Sequence, residues 1–551
     1  MSLPPDIIIS NARVYTADPV RPWAESFAVR EGILVAIGDV SEIATLAGTD
    51  TVIRDLGGAF VMPGLIDVHN HHALAGRADL FELTFSSELS FEQVLDAVRR
   101  RADTLAEGAW ILGGSWGSTL LPELMSERAR HALDAAAGGR PVMLSDDSHH
   151  NRLVSTAALE LAGITADSAD PDGGVIVRDP HTGRPSGVLL EAAGLPVEEA
   201  LARTQRLTAA EHAASSARAV EILHSYGVTA FQDAGASVDI LRSLKQLDDA
   251  GELTAWVVTS MLINDPILGL SPVGAELIDQ GEQYRSRHHR PDFVKIFLDG
   301  VPPTRTGAFL EPYLPDDVHG AHFTGTTTMD PAELVGWLRR SAAAGLGAKV
   351  HCTGDAAVRV VLDAVEIVRR EGYTHTAIQV AHGQFVHPDD VPRFAALNVY
   401  ADISPFIWVP GVIPDAIAAV LPAELAAHMQ PNRDLLDAGA LVAGGSDWPV
   451  SASPDALEGI QGLVTRADPS GTFAGTLWAE QAISVAEAVA VFTIDAARAM
   501  GVDDVTGSLV PGKSADFVVL SQNLFEVDPD RIAASTVEQT WFAGEPVFKR
   551  D

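Results

Sequence analysis

His69 and His71 occupy alternate positions at the end of an apolar, β-branched run, Phe60-Val61-Met62-Pro63-Gly64-Leu65-Ile66-Asp67-Val68-His69-Asn70-His71-His72. Residues two apart on a strand point the same way, so both imidazoles project together from one strand end, as two ligands of one metal must. Further along, Lys295, His351, His382 and Asp447 close other apolar segments: Val294-Lys295-Ile296-Phe297, Gly347-Ala348-Lys349-Val350-His351, Ile378-Gln379-Val380-Ala381-His382 and Leu441-Val442-Ala443-Gly444-Gly445-Ser446-Asp447. Imidazoles with a carboxylate are the donors that zinc and similar divalent ions prefer. Such an ion lowers the pKa of its water from 15.7 to around 7, and attack of that hydroxide on a polarised amide carbonyl is the natural reaction. Asp447 has two jobs open to it: ligand, and general base that takes the water's proton and passes it to the leaving nitrogen. A helix N-cap before Trp448-Pro449 is its structural alternative. Lys295 is different, because an ammonium repels a dication. Three states are open: a paired or solvated lysine, a neutral amine, or a carbamate formed with carbon dioxide.

These side chains converge only if their strands end at one mouth, which a (β/α)8 barrel provides at the C-terminal ends of its strands. Segments 227–233, 256–258 and 399–401 complete a set of eight strands with those above, and helical tracts alternate with them to about residue 500. About 150 residues separate the first strand from Gly227, far more than one βα unit needs, which implies an insert at about 75–220. The insert opens with a helix-rich tract, 91–137, broken by Gly113-Gly114-Ser115-Trp116-Gly117. Short β-rich bursts punctuated by turn residues fill 1–60 and 501–551. Neither set has enough strands for its own core. The expected architecture is therefore an α/β, TIM-like barrel over 61–500 with a composite β-sandwich built from both termini and an inserted subdomain after the first strand.

A formal net charge of −36 on 551 residues argues against nucleic acid or an anionic membrane as partner, since both need a basic face. The single cysteine, Cys352, excludes an intrachain disulfide framework and fits a reducing compartment. It directly follows a candidate ligand, so on a strand it points to the opposite side and reads as packing. Residues 1–6 lack the basic and apolar regions of a signal peptide, and no apolar run approaches the roughly 20 residues that span a bilayer. The expectation is a soluble cytoplasmic protein, with a homodimer as the assembly considered, acting on a small-molecule amide.

The order of HxH, Lys, His, His and Asp, with its local strings, resembles the amidohydrolase superfamily and within it the YtcJ-like branch, which includes N-substituted formamide deformylase. The strings are Val61-Met62-Pro63-Gly64-Leu65-Ile66-Asp67-Val68-His69, Val294-Lys295-Ile296-Phe297-Leu298-Asp299-Gly300, His351-Cys352-Thr353-Gly354-Asp355, Ala381-His382-Gly383-Gln384, Gly445-Ser446-Asp447-Trp448-Pro449 and, more generally in the superfamily, Gly507-Ser508-Leu509-Val510-Pro511-Gly512-Lys513-Ser514-Ala515-Asp516-Phe517. The resemblance implies one or two Zn2+ ions on His69, His71, Lys295, His351, His382 and Asp447, two if Lys295 is a bridging carbamate. It implies hydrolysis of a linear amide C–N bond, best matched by an N-substituted formamide giving amine and formate. N-acyl amino acid hydrolysis, cyclic amide hydrolysis and a non-catalytic metal-binding barrel are the alternatives. A deaminase of this fold carries Glu two residues after the fifth-strand histidine, where Thr353 stands. Two departures stand out: Ala381 replaces the usual Glu before His382, and Ser148 interrupts an Asp-Gly-His string, leaving Asp147-Ser148-His149. For substrate contacts, Arg305 follows the fourth strand and is expected either over the mouth or bracing its loop. His149, His150, Trp116 and Trp448 are expected to wall an apolar pocket.

Overall fold

Eight parallel strands form where short apolar runs alternate with helices: β1 Leu65–Asn70, β2 Val228–Ala236, β3 Trp256–Leu262, β4 His289–Phe297, β5 Gly347–Cys352, β6 Ile378–His382, β7 Val399–Ile403 and β8 Val442–Gly444. The structure is a computed structural model describing residues 3–106, 108–267 and 269–551; Met1 and Ser2, within the stretch read for a leader, lie outside the described residues, as do Glu107 and Leu268. Each strand pairs with the next in sequence order, and β1 returns to the residues after β8 through the Asp447 amide on the His69 carbonyl (2.6 Å) and the His71 amide on the Trp448 carbonyl (2.8 Å). Helices cover the outside because they carry one apolar stripe. In the helix Asp355–Arg370, Val358, Val361, Leu362 and Val365 recur at helical spacing and are buried. The expected barrel is present with all eight strands.

The insert is not simply helix-rich. Six strands, Leu83–Thr84, Ile111–Trp116, Val142–Asp146, Asn151–Val154, Gly174–Arg178 and Pro185–Glu191, form one mixed sheet, flanked by helices including Phe91–Ala102 and Glu127–Ala136. The glycines read as an interruption lie in the second of these strands. A Cβ on Gly113 would fall 1.9 Å from the Leu83 carbonyl oxygen, so glycine is there to let two strands approach, and a glycine-rich strand was mistaken for a break.

The termini meet as expected. Strand Phe60–Pro63 pairs parallel with Arg13–Tyr15 and antiparallel with Phe517–Leu520, giving a six-stranded sheet from both ends of the chain. A second sheet of four strands comes entirely from the N-terminal part. Ile9, Phe27 and Val29 of that sheet pack against Val61, Phe517, Val519 and Trp541 of the first, sealing one core. No helix among the described residues is long and apolar enough to cross a membrane.

Phe517 is 1% exposed, stacks on Trp541 at 5.1 Å and meets Phe27 edge-on at 5.0 Å. Phe517→Ala should therefore cost about 3–5 kcal/mol in denaturant unfolding. A loss below about 1 kcal/mol would show that the joined termini do not depend on this core.

Candidate metal centre

The end of β1 delivers two imidazoles because Asn70, between them, faces the other way. His69 is fully buried, and His71 lies one residue past the strand. Asp447, past β8, reaches both: its Oδ1 is 3.5 Å from His69 Nε2 and 3.5 Å from His71 Nε2. The ligand atoms of these three lie within 4.8 Å of one another. His382 brings Nδ1 to 3.8 Å from Asp447 Oδ2, Lys295 Nζ lies 3.4 Å from His69 Nε2, and the His351 and His382 ring centroids are 4.6 Å apart. All six residues read as ligands from the sequence thus meet at the barrel mouth. His382 (φ 67°) and Asp447 (φ 58°) adopt left-handed backbone, which costs branched or ring-bearing residues of order 1–3 kcal/mol and persists only where the surroundings impose it.

Electrostatics prepares the donors. Burial, with neighbouring cationic or imidazole groups adding, holds His69, His351 and His382 well below the ordinary imidazole range, so each offers a lone pair, the form that binds metal. Burial, and then the Lys349 ammonium, bring Lys295 down to about 8. Among the described residues, the buried Nδ1 of His382 has no hydrogen-bond partner, an arrangement that costs about 1–3 kcal/mol unless something else occupies the lone pair. Neutral imidazoles, a carboxylate and an orphaned nitrogen fit a divalent ion of the zinc type.

Behind the ligands lies support that the sequence reading did not single out. Asp402, the fourth residue of β7, accepts from His69 Nδ1 at 2.8 Å and from the Lys349 ammonium, which also donates to the Val68 carbonyl at 2.9 Å. The proton on Nδ1 turns the Nε2 lone pair of His69 toward the site. Burial pushes Asp402 up to about 6 against the pull of Lys349. The inward phase was legible, since Lys349 precedes His351 by two residues and Asp402 is a polar residue closing Val399-Tyr400-Ala401. The third histidine of the first run, His72, turns away and is held by Asp233 at 2.6 Å.

A cleft, partly open to solvent, rises from the centre. His71, Lys295, His351, His382 and Asp447 form its floor, and Leu74, Ile267, Phe297, Ile407, Trp408 and Ile417 its apolar walls. Ser118, Asp147, Ser148, His149 and His150 of the insert also line it. His149 and His150 are therefore at the cleft, but the three other candidates are not. Trp116 is 1% exposed, donates its indole N–H to the Leu144 carbonyl at 3.2 Å and belongs to the insert's core, because burying a large ring there outweighs exposing it over the mouth. Arg305 is spent on its own loop: Nε lies 3.0 Å from Asp316, Nη1 donates to the Leu314 carbonyl at 2.6 Å, and the guanidinium covers Tyr313. Trp448 lines a neighbouring cleft instead.

A (β/α)8 barrel with neutral histidines, a lysine and an aspartate gathered at its mouth defines a metal-dependent hydrolase fold. The sequence profile described as the amidohydrolase family matches residues 52–548, and the chain belongs to that family. It is a hydrolytic enzyme of the kind that acts on C–N bonds other than peptide bonds. Protein LONG AFTER FAR-RED 3 of Arabidopsis thaliana is 29% identical over 98% of this chain and 91% of its own. N-substituted formamide deformylase of Arthrobacter pascens is 28% identical over 99% of this chain and 98% of its own. The crystal structure of an uncharacterized metal-dependent hydrolase from Pyrococcus horikoshii superposes with a TM-score of 0.73 at 22% identity, covering 95% of this chain and 99% of that one, and shares the fold.

Asp402→Asn removes the carboxylate that orients His69 and leaves Lys349 without its counter-charge. Metal affinity, read by competition with a chelator, should fall about 10–100-fold. An affinity equal to that of the parent would show that His69 is held by packing alone.

Proposed function

We propose that the protein hydrolyses an N-substituted formamide, releasing an amine and formate. The observation that carries this reading is the cleft's division into a polar floor and apolar walls. A formyl group is small enough to lie on the floor, and the walls take a hydrophobic N-substituent. The 28% identity to N-substituted formamide deformylase over nearly the full length of both chains supports the same choice.

His69, His71 and Asp447 would hold one ion, and His351, His382 and Lys295 a second. When bound, a divalent ion at these donors supplies Lewis acidity, polarising a carbonyl oxygen and bringing the pKa of water near 7. Asp447 takes the proton of the attacking water and returns it to the nitrogen as the C–N bond breaks, leaving a neutral amine. The apolar walls exclude bulk water, which strengthens each charge interaction on the floor. Lys295 supports a two-ion site only as an anion. Its depressed pKa leaves free amine near neutrality, whose lone pair adds carbon dioxide to form an N–C bond while one proton leaves to solvent. The carbamate then presents two oxygens.

Asp447→Asn keeps the shape but cannot accept a proton, so kcat should fall about 10²–10⁴-fold while circular dichroism is unchanged. Wild-type turnover in this variant would remove Asp447 from proton transfer. The substrate class is decided by kcat/KM over a series of aryl-substituted formamides and a series of N-acyl amino acids. Formamides should lead, and a preference of about tenfold for the acyl amino acids, about 1.4 kcal/mol of transition-state binding, would overturn the assignment.

A further inference from the structure

His150 takes no part in the mechanism above, yet it lines the cleft beside the ligands, with its ring 5.2 Å from that of His351 and 6.1 Å from Phe297. It is fixed from behind. Nδ1 lies 2.9 Å from Glu191 Oε2, and the other Glu191 oxygen accepts from the Thr306 hydroxyl at 2.7 Å. Glu191 itself sits at φ 49°, ψ −127°, a conformation that side-chain-bearing residues rarely hold. The loop that presents the ring is equally constrained. Asp146 accepts from the Asn151 amide (3.1 Å) and side chain (2.6 Å), and Asp147 accepts from the Ser118 amide (2.7 Å) and hydroxyl. Thr306 belongs to the segment after β4 and Glu191 to the insert, so the ring is pinned where barrel and insert meet.

Burial lowers the ring's pKa, but the Glu191 carboxylate outweighs it and raises the pKa; on the alkaline side of that value the hydrogen stays on Nδ1 and Nε2 is an acceptor. No protein group among the described residues bonds to Nε2, and it is not among the buried unpartnered atoms, so it is reachable from the cleft. We propose that His150 is a further catalytic residue, whose Nε2 accepts the N–H of the scissile amide, with Glu191 as its positioning residue. The substrate is then a secondary amide. This inference rests on the amide-hydrolase reading of the same site and narrows it. In a planar amide the N–H lies in the plane, whereas the electron pair that receives a proton as the C–N bond breaks develops perpendicular to it. An acceptor at His150 and proton delivery by Asp447 therefore address different faces of one nitrogen and do not compete. The contact also fixes the rotation of the amide about its C–N axis, which places the carbonyl over the ligands.

The test pairs N-benzylformamide with N-benzyl-N-methylformamide, in which a methyl group replaces the amide hydrogen. The parent should favour the secondary amide by about tenfold or more in kcat/KM. In His150→Phe, which keeps a ring in the cavity, that ratio should fall to about one. His150→Asn, with a carbonyl oxygen in place of Nε2, should restore part of it. Glu191→Gln should lower kcat more than it raises KM and should shrink the ratio as well. Melting temperatures identify any variant that fails to fold, and His150→Asn is the more conservative of the two ring replacements. A ratio unchanged in both His150 variants overturns the N–H contact. So does an equal loss for both amides, because it assigns His150 to the carbonyl side. If formyl compounds are inert while the corresponding acetamides are cleaved, the formamide reading fails by itself, and the ratio measured on the acetamide pair decides the His150 contact.

Discussion

The carboxylate of Asp67 sits in the seam where the first barrel strand meets the end of the last. Its two oxygens accept four hydrogen bonds: from the His69 amide (3.0 Å), the Asn70 side chain (3.1 Å), and the Ser446 amide (2.9 Å) and hydroxyl (2.6 Å). Burial raises the pKa of this group, and the four donors work against burial by favouring its charged form. The site depends on this clamp because its two halves lie on opposite sides of the seam. His69 and His71 come from β1 and Asp447 from just beyond β8, and a shift of 1 Å between them would separate a donor set that now lies within 4.8 Å. A barrel closes its sheet so that no edge is left over; here the last closure is made by side chains as much as by backbone.

Under the mouth the barrel is polar where most interiors are apolar. Lys295 and Lys349 are register partners on β4 and β5, both fully buried, so two ammonium groups compete in a low-dielectric space. The outcome is unequal. Lys349 has Asp402 as counter-ion and a backbone carbonyl as second acceptor. Among the described residues, Lys295 has an imidazole nitrogen at 3.4 Å and the face of Phe297 at 4.7 Å, and the carboxylates of Asp447 and Asp402 act on it without a hydrogen bond. Burial lowers the pKa of both ammonium groups, and the charge is the better compensated on Lys349. The same carboxylate orients His69, so Asp402 serves both the metal site and the compensation of Lys349.

The residues that meet at the mouth were legible because each obeys a local rule: a polar residue at the end of an apolar strand, in a chain whose strands and helices alternate. The joined termini were legible by counting strands too few to close a core on either side. Asp402 obeyed the same rule and escaped notice, since a single aspartate after Val399-Tyr400-Ala401 looks like an ordinary strand exit. Glu191 was out of reach for a different reason. Nothing near it in sequence marks it as the partner of His150, and only the folded insert brings the two together. Trp116 and Arg305 show the limit of reading side-chain type alone. An indole in a glycine-rich segment serves a core as readily as a pocket, and an arginine after a barrel strand finds its nearest carboxylate before it finds a ligand.

The sandwich made from both ends of the chain has a consequence for how the molecule is built on the ribosome. Val61 pairs with Val519, so the strand leading into β1 waits for nearly the whole chain before its antiparallel neighbour exists. At about 5–20 residues per second, that wait lasts roughly half a minute to a minute and a half. Until then, one edge of Phe60–Pro63 and the apolar faces of Phe27 and Val29 stay open to other chains, the kind of surface that templates misassociation. Closure of the sandwich core is in this way deferred to the end of synthesis, when the strand Phe517–Leu520 at last covers that edge.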